Sequence, residues 1–376
     1  MAARGCRWLW LVPAVLAGLA HAAGPARVAT GNRQLWPTPV NTVAEFDQAS
    51  RAALAVYRQT LQGWAGQSDA QLQELVHTRS LNRASVDQWL QRELAEVQGN
   101  WQQAAADCRQ AKPDDWSCDP AWVTAPATRL PPALADWYRD MQNYSRTYQL
   151  EQLRLAALFP KTSSEIARFT TQEKTGSELP DRQFLLSFDD GPSAAGGHSE
   201  QTLAMLRRQQ KSALFFMLGS RLSEQRQQQG AAALQRHYQG QCLASHGWEH
   251  QSHAKWPQWQ ESVLNTRKLL AETFRPEQLV PLFRPPYGQR TADSGHFFAK
   301  QGITLTLWGL DSQDWNTHLS DEEVLNRIRT LMVIKRHGIL LFHDVHPKAA
   351  RVLPTLFAEL GSAVQWLPCH TNLLQR

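Results

Sequence analysis

The chain has 376 residues, which is enough for two domains and at least one large hydrophobic core. Apolar residues make up 42% of the total, so the composition indicates a globular protein and excludes a disordered one. The formal net charge of +5 is too small and too scattered along the chain to favour a nucleic-acid-binding protein.

The first 22 residues have the pattern of an export signal. Arg4 and Arg7 precede an apolar run of 13 residues, 8–20, and a small-residue cleavage site follows at Ala20-His21-Ala22. The run is shorter than the roughly 20 apolar residues that span a membrane. We therefore predict a signal peptide over 1–22 and an exported protein, periplasmic or secreted, without a transmembrane anchor after cleavage.

Four cysteines remain once the signal is removed, and an even number in an exported chain favours disulfides over buried free thiols. Four cysteines allow three connectivities. Cys108 and Cys118 are close in sequence and flank a turn-like segment, so we predict that they pair. Cys242 is then left to pair with Cys369.

Residues 23–178 are predicted to form a mainly α-helical domain. Apolar residues between positions 53 and 64 recur at the spacing of one helix face. Two capping boxes are predicted before further helices, Ser68 with Gln71 and Ser85 with Gln88. The tryptophans of this region lie at helical spacings, which favours core positions over sugar-stacking platforms. No motif in this region indicates a function.

Beyond a polar segment at 170–182 the pattern changes, and we predict a second domain over 179–376. Seven short apolar runs alternate there with helical segments, at 184–188, 213–217, 242–245, 282–284, 304–310, 339–342 and 364–367. This alternation predicts a parallel α/β barrel. Barrels of this type carry their active sites at the C-terminal ends of the strands, where the polar residues of this region also lie.

The first strand ends in Asp189-Asp190-Gly191-Pro192. Adjacent side chains diverge in extended backbone, so one carboxylate can bind a metal ion while the other acts on a water molecule. The same four residues also form an ordinary turn, so this feature is weak evidence by itself.

His246 and His250 have a spacing that brings two imidazoles to one metal ion. With Asp190 they make a three-ligand set that leaves positions open for water and substrate, as catalytic zinc sites do. His253 lies one turn further on and is predicted to be a bystander. Glu249 does not occupy the position of the base in the H-E-x-x-H pattern, so a role as base is not favoured.

Three further blocks follow strand runs. Residues 283–288 form a proline-set turn in which Arg284 is placed to hold a carboxylate. Residues 311–315 read Asp-Ser-Gln-Asp-Trp, and residues 341–344 read Leu-Phe-His-Asp. Each block has an ordinary structural explanation by itself, as an ion pair, a turn or a histidine with its hydrogen bonds made. Their joint order is the specific signal.

In this order the five blocks resemble those of the NodB-homology polysaccharide deacetylases, carbohydrate esterase family 4, over about 183–345. The resemblance does not extend to 23–178. It implies a distorted (β/α)7 barrel and hydrolysis of the acetamide of N-acetylated amino sugars in a polysaccharide. The implied cofactor is Zn²⁺, although Co²⁺, Ni²⁺ or Mn²⁺ also suit two imidazoles and one carboxylate.

The resemblance also implies roles for individual residues. Asp190, His246 and His250 match the metal ligands. Asp189 matches the catalytic base, and His343 matches the catalytic acid.

The remaining site residues surround these five. Arg284 matches the residue that orients the base, Asp314 matches the partner of that arginine, and the backbone N–H of Tyr287 matches a donor to the oxyanion. Three residues are expected to contact substrate: Pro286, Trp315 and Leu341.

One position departs from the family pattern. Gly247 stands where Ser or Thr is usual, and that hydroxyl normally steadies the loop of metal ligands. Two alternatives to a deacetylase remain: a carbohydrate-binding envelope protein on a degenerate barrel, and an amidase or esterase of a different substrate. The polymer also stays open, because peptidoglycan, exopolysaccharide and chitin all carry the acetamide.

Overall fold

The structure is a computed structural model, and it describes residues 27–110, 115–119 and 130–371. The predicted signal peptide at 1–22 lies outside these residues. Among the helices in the described ranges, none is both long and apolar enough to cross a lipid bilayer.

The N-terminal region is helical, as predicted. Within the described residues, its α-helices are α1 (Val43–Gln62), α2 (Asp69–Leu75), α3 (Arg83–Ala104) and α4 (Ala135–Leu158). The capping box of Ser68 with Gln71 is present at the start of α2. The second predicted capping box is wrong, because Asn82 caps α3 by accepting a hydrogen bond from the backbone N–H of Ser85 at 3.2 Å.

The rest of the chain forms a parallel sheet with helices outside it. The strands are β1 (Gln183–Asp189), β2 (Leu214–Met217), β3 (Cys242–Ser245), β4 (Leu279–Phe283), β5 (Thr304–Leu305), β6 (Leu310–Asp311), β7 (Gly338–His343) and β8 (Gln365–Trp366). Their order is β5-β4-β3-β2-β1-β7-β6, and β8 pairs with the start of β1. The helices are α5 (His198–Arg208), α6 (Gly219–Gln229), α7 (Ala231–His237), α8 (Trp259–Thr273), α9 (Ser294–Lys300), α10 (Asp321–Lys335) and α11 (Lys348–Leu360).

This topology confirms the distorted (β/α)7 barrel. The predicted strand at 304–310 is divided into β5 and β6, which lie at opposite ends of the hydrogen-bonded path. β5 pairs with β4, whereas β6 pairs with β7. Residues 306–309 therefore link the two ends of the hydrogen-bonded path, and β5 and β6 are not paired with each other in the described sheet.

The helical region packs directly against the barrel, and one hydrophobic core runs through both. Tyr57 and Trp89 of the helices belong to the same buried cluster as Phe188 and Ile328 of the barrel. Trp89 is thus a core residue, as its spacing predicted. The domain boundary between residues 178 and 179 stays a prediction. Apolar packing is continuous between the helical region and the barrel.

Both predicted disulfides are present. Cys108 is bonded to Cys118, with their Cα atoms 5.4 Å apart. Cys242, the first residue of β3, is bonded to Cys369 near the end of the chain. The second disulfide therefore ties a central strand to the segment that follows β8.

Candidate active site

The site residues converge because parallel strands present their C-terminal ends at one edge of the barrel. Asp189 ends β1 and His343 ends β7, and the two residues are direct partners in the register of these strands. His246 follows the last residue of β3, and Arg284 follows the last residue of β4. Residues far apart in sequence thus meet at one place.

The three predicted metal ligands lie together. Oδ1 of Asp190 is 3.4 Å from Nε2 of His246 and 3.5 Å from Nε2 of His250. Asp190 adopts a left-handed conformation with φ of 77°, which aspartate tolerates better than most residues. This turn directs the Asp190 carboxylate to the two imidazoles, while Asp189 occupies the last position of the strand.

The hydrogen bonds of this triad favour a cation between its members. Nδ1 of His246 is 2.7 Å from the carbonyl oxygen of Arg284. A carbonyl oxygen only accepts, so Nδ1 carries the proton and Nε2 presents a lone pair towards Asp190. Oδ1 of Asp190 is buried and has no hydrogen-bond partner in the described part of the chain. A divalent cation would satisfy both atoms, so these residues fit the implied metal.

The electrostatics of the triad also suit metal binding. Burial opposes the charge of Asp190, but the neighbouring imidazoles of His246, His250 and His343 outweigh it and lower the pKa of that carboxyl group. Burial lowers the pKa of His250 to about 4. Both shifts favour the forms that bind a metal, an ionised carboxylate and a neutral imidazole.

The structure explains why glycine stands at position 247. Gly247 has φ of +85°, and a Cβ atom there would lie 2.6 Å from Cε1 of His253 and 2.9 Å from Oγ of Ser262. Oγ of Ser262 accepts a hydrogen bond from the N–H of Trp248 at 2.7 Å and lies 3.2 Å from Nε2 of His253. The hydroxyl of Ser262 thus contacts the loop where a hydroxyl at position 247 was expected to do so. His253 packs against this loop and is not part of the ligand triad.

Asp189 is held by Arg284. The Arg284 guanidinium is fully buried and donates from Nη1 to Oδ1 of Asp189 at 2.7 Å and to Oγ of Ser187 at 2.8 Å. Its other donors go to the carbonyl oxygens of Thr306 and Leu307. This network holds one oxygen of Asp189 and leaves Oδ2 towards the metal ligands, 3.8 Å from Nε2 of His246.

Asp314 holds His343, so its predicted partnership with Arg284 is wrong. Oδ1 of Asp314 is 2.8 Å from Nδ1 of His343, and Oδ2 accepts from the backbone N–H of the same histidine at 2.9 Å. Burial by itself would lower the pKa of His343, but the carboxylate of Asp314 outweighs burial and raises it to about 10. His343 is therefore a protonated imidazolium at neutral pH, with Nε2 available as a proton donor.

These side chains line a cavity of about 330 Å³. The lining includes most of the predicted site: Asp189, Asp190, His246, His250, Tyr287, Trp315, Leu341 and His343. Arg284 and Asp314 lie behind this surface, as residues that hold other side chains. Pro286 is buried and is not among the lining residues that the structure describes, so its contact with substrate stays a prediction.

Two exposed aromatic residues stand at the cavity. Tyr287 is 43% exposed and Trp315 is 40% exposed, which is unusual for aromatic side chains of this chain. The Tyr287 ring packs edge-on against His250, with ring centroids 4.3 Å apart. These rings are suited to contact a sugar, and the Tyr287 ring also restrains His250, one of the three predicted metal ligands.

The sequence did not indicate that the helical region would form part of this cavity. Its contribution comes from α4 and from the segment that follows it: Glu151, Gln152, Arg154, Leu155, Thr162, Ser163, Ser164 and Glu165. Trp308, Asp311, Gln313 and Arg327 of the barrel also line it. The 311–315 block was a signal for Asp311 and Gln313, whereas no local pattern marked the helical residues.

Comparison with known proteins identifies relatives of the barrel. Residues 176–306 match the family model described as polysaccharide deacetylase, which confirms the resemblance over that segment. Chitin deacetylase 1 of Saccharomyces cerevisiae is 34% identical over 85 residues, which cover 21% of this chain and 28% of that enzyme. The chain therefore matches well under a third of the length of this curated relative.

Solved structures of similar proteins were also found. A peptidoglycan N-acetylglucosamine deacetylase aligns at 17% identity over 52% of this chain and 90% of its own, with a TM-score of 0.44. A family 4 carbohydrate esterase from Streptomyces lividans aligns at 25% identity over 48% of this chain and 89% of its own, with a TM-score of 0.40. The blocks that contain Asp314 and His343 lie beyond the segment matched by the family model.

Proposed function

We propose that the chain is an exported, metal-dependent polysaccharide N-deacetylase, on the premise that residues 176–306 match the polysaccharide deacetylase family model. It removes N-acetyl groups from a polymer that contains N-acetylglucosamine, such as peptidoglycan, exopolysaccharide or a chitin-like chain, and releases acetate. The metal is Zn²⁺ or a similar divalent ion, held by Asp190, His246 and His250. The curated relative named for chitin deacetylation supports this substrate class.

The observation that carries the proposal is the placement of Asp189 and His343 on neighbouring strands, facing one cavity beside the ligand triad. One group is a carboxylate held by a buried arginine, and the other is an imidazolium held by a buried carboxylate. A carboxylate and an imidazolium at one cavity suit an amide hydrolysis, which needs a proton removed from water and a proton given to the amine.

The division of labour follows from these contacts. A bound divalent metal would supply Lewis-acid polarisation of the acetyl carbonyl and lower the pKa of water. Asp189 accepts the proton of the attacking water, and Arg284 keeps that carboxylate oriented. His343 donates its proton from Nε2 to the sugar nitrogen as the carbon–nitrogen bond breaks. Acetate and a free amine are the products.

Two further contacts favour the transition state. The backbone N–H of Tyr287 donates to the oxyanion that forms as water adds to the carbonyl. Trp315 and Leu341 surround the methyl group of the acetyl unit with apolar surface. Tyr287, Trp315 and Leu341 all line the same cavity as the ligand triad, which supports these assignments.

The test is acetate release from purified, metal-loaded protein. Asp189→Asn and His343→Ala should each lower the rate by roughly 10²–10⁴-fold while metal stays bound, because each removes one proton-transfer group. Glu277→Gln is the matched control, since Glu277 is exposed and precedes β4 at the opposite end of the barrel. Near-normal acetate release from either site variant would refute the assignment.

The substrate and the location need separate experiments. Mass spectrometry of peptidoglycan fragments, chitin oligomers and poly-N-acetylglucosamine after incubation would show which polymer loses acetyl groups. N-terminal sequencing of protein recovered outside the cytoplasm should begin directly after Ala22. Retention of residues 1–22 in a cytoplasmic protein would contradict the export proposal.

A further inference from the structure

The wall that the helical region contributes to the cavity is fixed by a buried ion pair. Arg327 of α10 donates to both carboxylate oxygens of Glu151 in α4, at 3.0 and 2.8 Å. It also donates from Nε to the carbonyl oxygen of Asp311 at 2.8 Å. The three residues join α4, α10 and β6, so the helical wall is held in register with the barrel.

A second anchor fixes the segment after α4. Arg290 is 2% exposed and donates to the carbonyl oxygen of Ser164 at 2.8 Å, and it is paired with Glu173. Ser163 exchanges two hydrogen bonds with the backbone of Arg290, at 2.7 and 2.8 Å. A Cβ atom at Gly288 would lie 3.2 Å from Cα of Ser164, so glycine allows this close approach. The backbone next to Glu165 is therefore held on the proline turn.

Between these anchors the cavity wall is rich in hydrogen-bond acceptors. Glu165, Asp311 and Gln313 all line it. The side chain of Gln313 donates from Nε2 to Oδ2 of Asp311 at 2.7 Å, which leaves Oε1 as the acceptor. Gln313 is 6% exposed, and its Oε1 has no hydrogen-bond partner among the residues that the structure describes. A buried acceptor of this kind needs a donor from a ligand or a water molecule.

Two cations, Arg154 and Arg327, also line this cavity, and Arg327 is neutralised by its ion pair with Glu151. The carboxylates of Glu165 and Asp311 indicate which donor is preferred. Burial, and then the neighbouring carboxylate of Asp311, raise the pKa of Glu165 to about 7. A cationic ligand would reverse both effects, because it stabilises the ionised form of Glu165 and offsets repulsion between the two carboxylates. A neutral acetamide or hydroxyl group would offset neither.

We propose that Glu165, Asp311 and Gln313 form a subsite for the ammonium group of an already deacetylated amino-sugar unit. Such a unit lies next to the acetylated unit that is being hydrolysed, on the same polymer chain. An ammonium group has three donors and a positive charge, which match the carboxylates and the buried amide oxygen. The inference rests on the proposed function, and it gives the helical region a part in substrate selection.

The subsite has a consequence for how the polymer is processed. Each hydrolysis creates an ammonium group that the subsite binds, so one deacetylation favours reaction at an adjoining unit. The product should therefore contain runs of free amines, whereas an enzyme without such a subsite would leave them scattered.

The test compares oligomers of one length that differ in a single acetyl group. The metal-loaded enzyme is given the fully acetylated tetramer or a tetramer with one free amine, and kcat/KM is measured by acetate release. The fully deacetylated tetramer has no acetamide group for the enzyme to hydrolyse. Its binding is measured separately by calorimetry. We expect a preference of roughly tenfold for the partly deacetylated tetramer. Glu165→Gln should abolish that preference and weaken calorimetric binding by a similar factor.

Control variants separate the subsite from folding and from the reaction itself. Glu165→Asp keeps the charge and should retain part of the preference, and Glu277→Gln should behave as wild type. Glu277→Gln should keep activity on the fully acetylated tetramer within about twofold, because this change alters no residue that lines the cavity.

The outcomes distinguish this inference from the proposed function. Acetate release by wild type without a preference, or a preference that survives Glu165→Gln, would overturn the subsite. No acetate release from either tetramer would refute the function. In that case the calorimetric comparison still decides the subsite, because binding of the deacetylated tetramer that is equal in wild type and Glu165→Gln overturns it.

Discussion

Asp314→Asn tests whether the carboxylate of Asp314 keeps His343 protonated. The two side chains are 2.8 Å apart, and they are 0% and 12% exposed, so water screens them little. Charge centres about 4 Å apart interact by roughly 4 kcal/mol at an effective dielectric constant of about 20. That energy corresponds to a shift of roughly 3 pKa units. Asparagine keeps the shape of the side chain but removes the charge.

The expected result is a loss of activity that increases with pH. His343 must be protonated to donate to the amine, and its pKa of about 10 keeps it so throughout the neutral range. Without Asp314 the pKa falls, so the imidazole loses its proton as the pH rises through the neutral range. The alkaline limb of the kcat/KM profile should therefore move to lower pH by about 2–3 units. A profile from pH 5 to 10 on one acetylated oligomer measures this.

The metal content of the variant separates this effect from damage to the site. Asp314 contacts none of the ligand triad through the hydrogen bonds described, so Asp314→Asn should bind metal as wild type does. An alkaline limb that coincides with that of wild type, at full metal occupancy, would show that Asp314 does not set the protonation of His343.

Three further changes test the metal site, a buried acid and a disulfide. His250→Ala should contain less metal than wild type, as measured by elemental analysis, whereas His318→Ala, at an exposed position, should keep its metal. Equal metal content in the two variants would contradict the ligand assignment. Burial raises the pKa of Asp344 to about 7, so the folded protein holds a proton there that the unfolded chain releases near pH 4. Stability conferred by the protonated acid is therefore lost as pH rises between about 4 and 7. Asp344→Asn should gain stability relative to wild type over that window, on the order of 4 kcal/mol, in urea unfolding of metal-free protein. A difference in free energy of unfolding between variant and wild type that does not change with pH would exclude the raised pKa. Cys369→Ser opens the disulfide to Cys242, which spans 127 residues, and should lower the free energy of unfolding by about 2–5 kcal/mol. The same loss should appear when wild type is reduced, and an unchanged urea midpoint would argue against this disulfide.

The grouping of Asp190, His246 and His250 illustrates what a sequence pattern predicts well. Asp190 follows a strand, and His246 and His250 follow another, so each position was readable from a local run of apolar residues. Parallel strands bring such positions to one edge whatever the details of packing. The disulfides were predictable for a similar reason, since four cysteines in a chain with a predicted export signal leave few pairings.

Partner choice within the site was less predictable. Asp314 was expected beside Arg284, and it holds His343 instead. Both arrangements satisfy a buried carboxylate, and the spacing of residues along the chain does not discriminate between them. The division of the 304–310 run was equally unpredictable, because its two halves pair with different strands, β4 and β7, at the two ends of the sheet.

The sequence by itself predicted the alternation of strands and helices, the edge at which the polar blocks meet and the three residues that lie together as candidate metal ligands. Those features follow from local periodicity and from the geometry of parallel strands. Only the tertiary structure decided which carboxylate holds which cation, and that the helical region forms a wall of the cavity. Glu151 and Arg327 are separated by 176 residues, and their ion pair exists because two packed elements bring them together. Such contacts depend on how whole elements pack, and local sequence patterns do not record that packing.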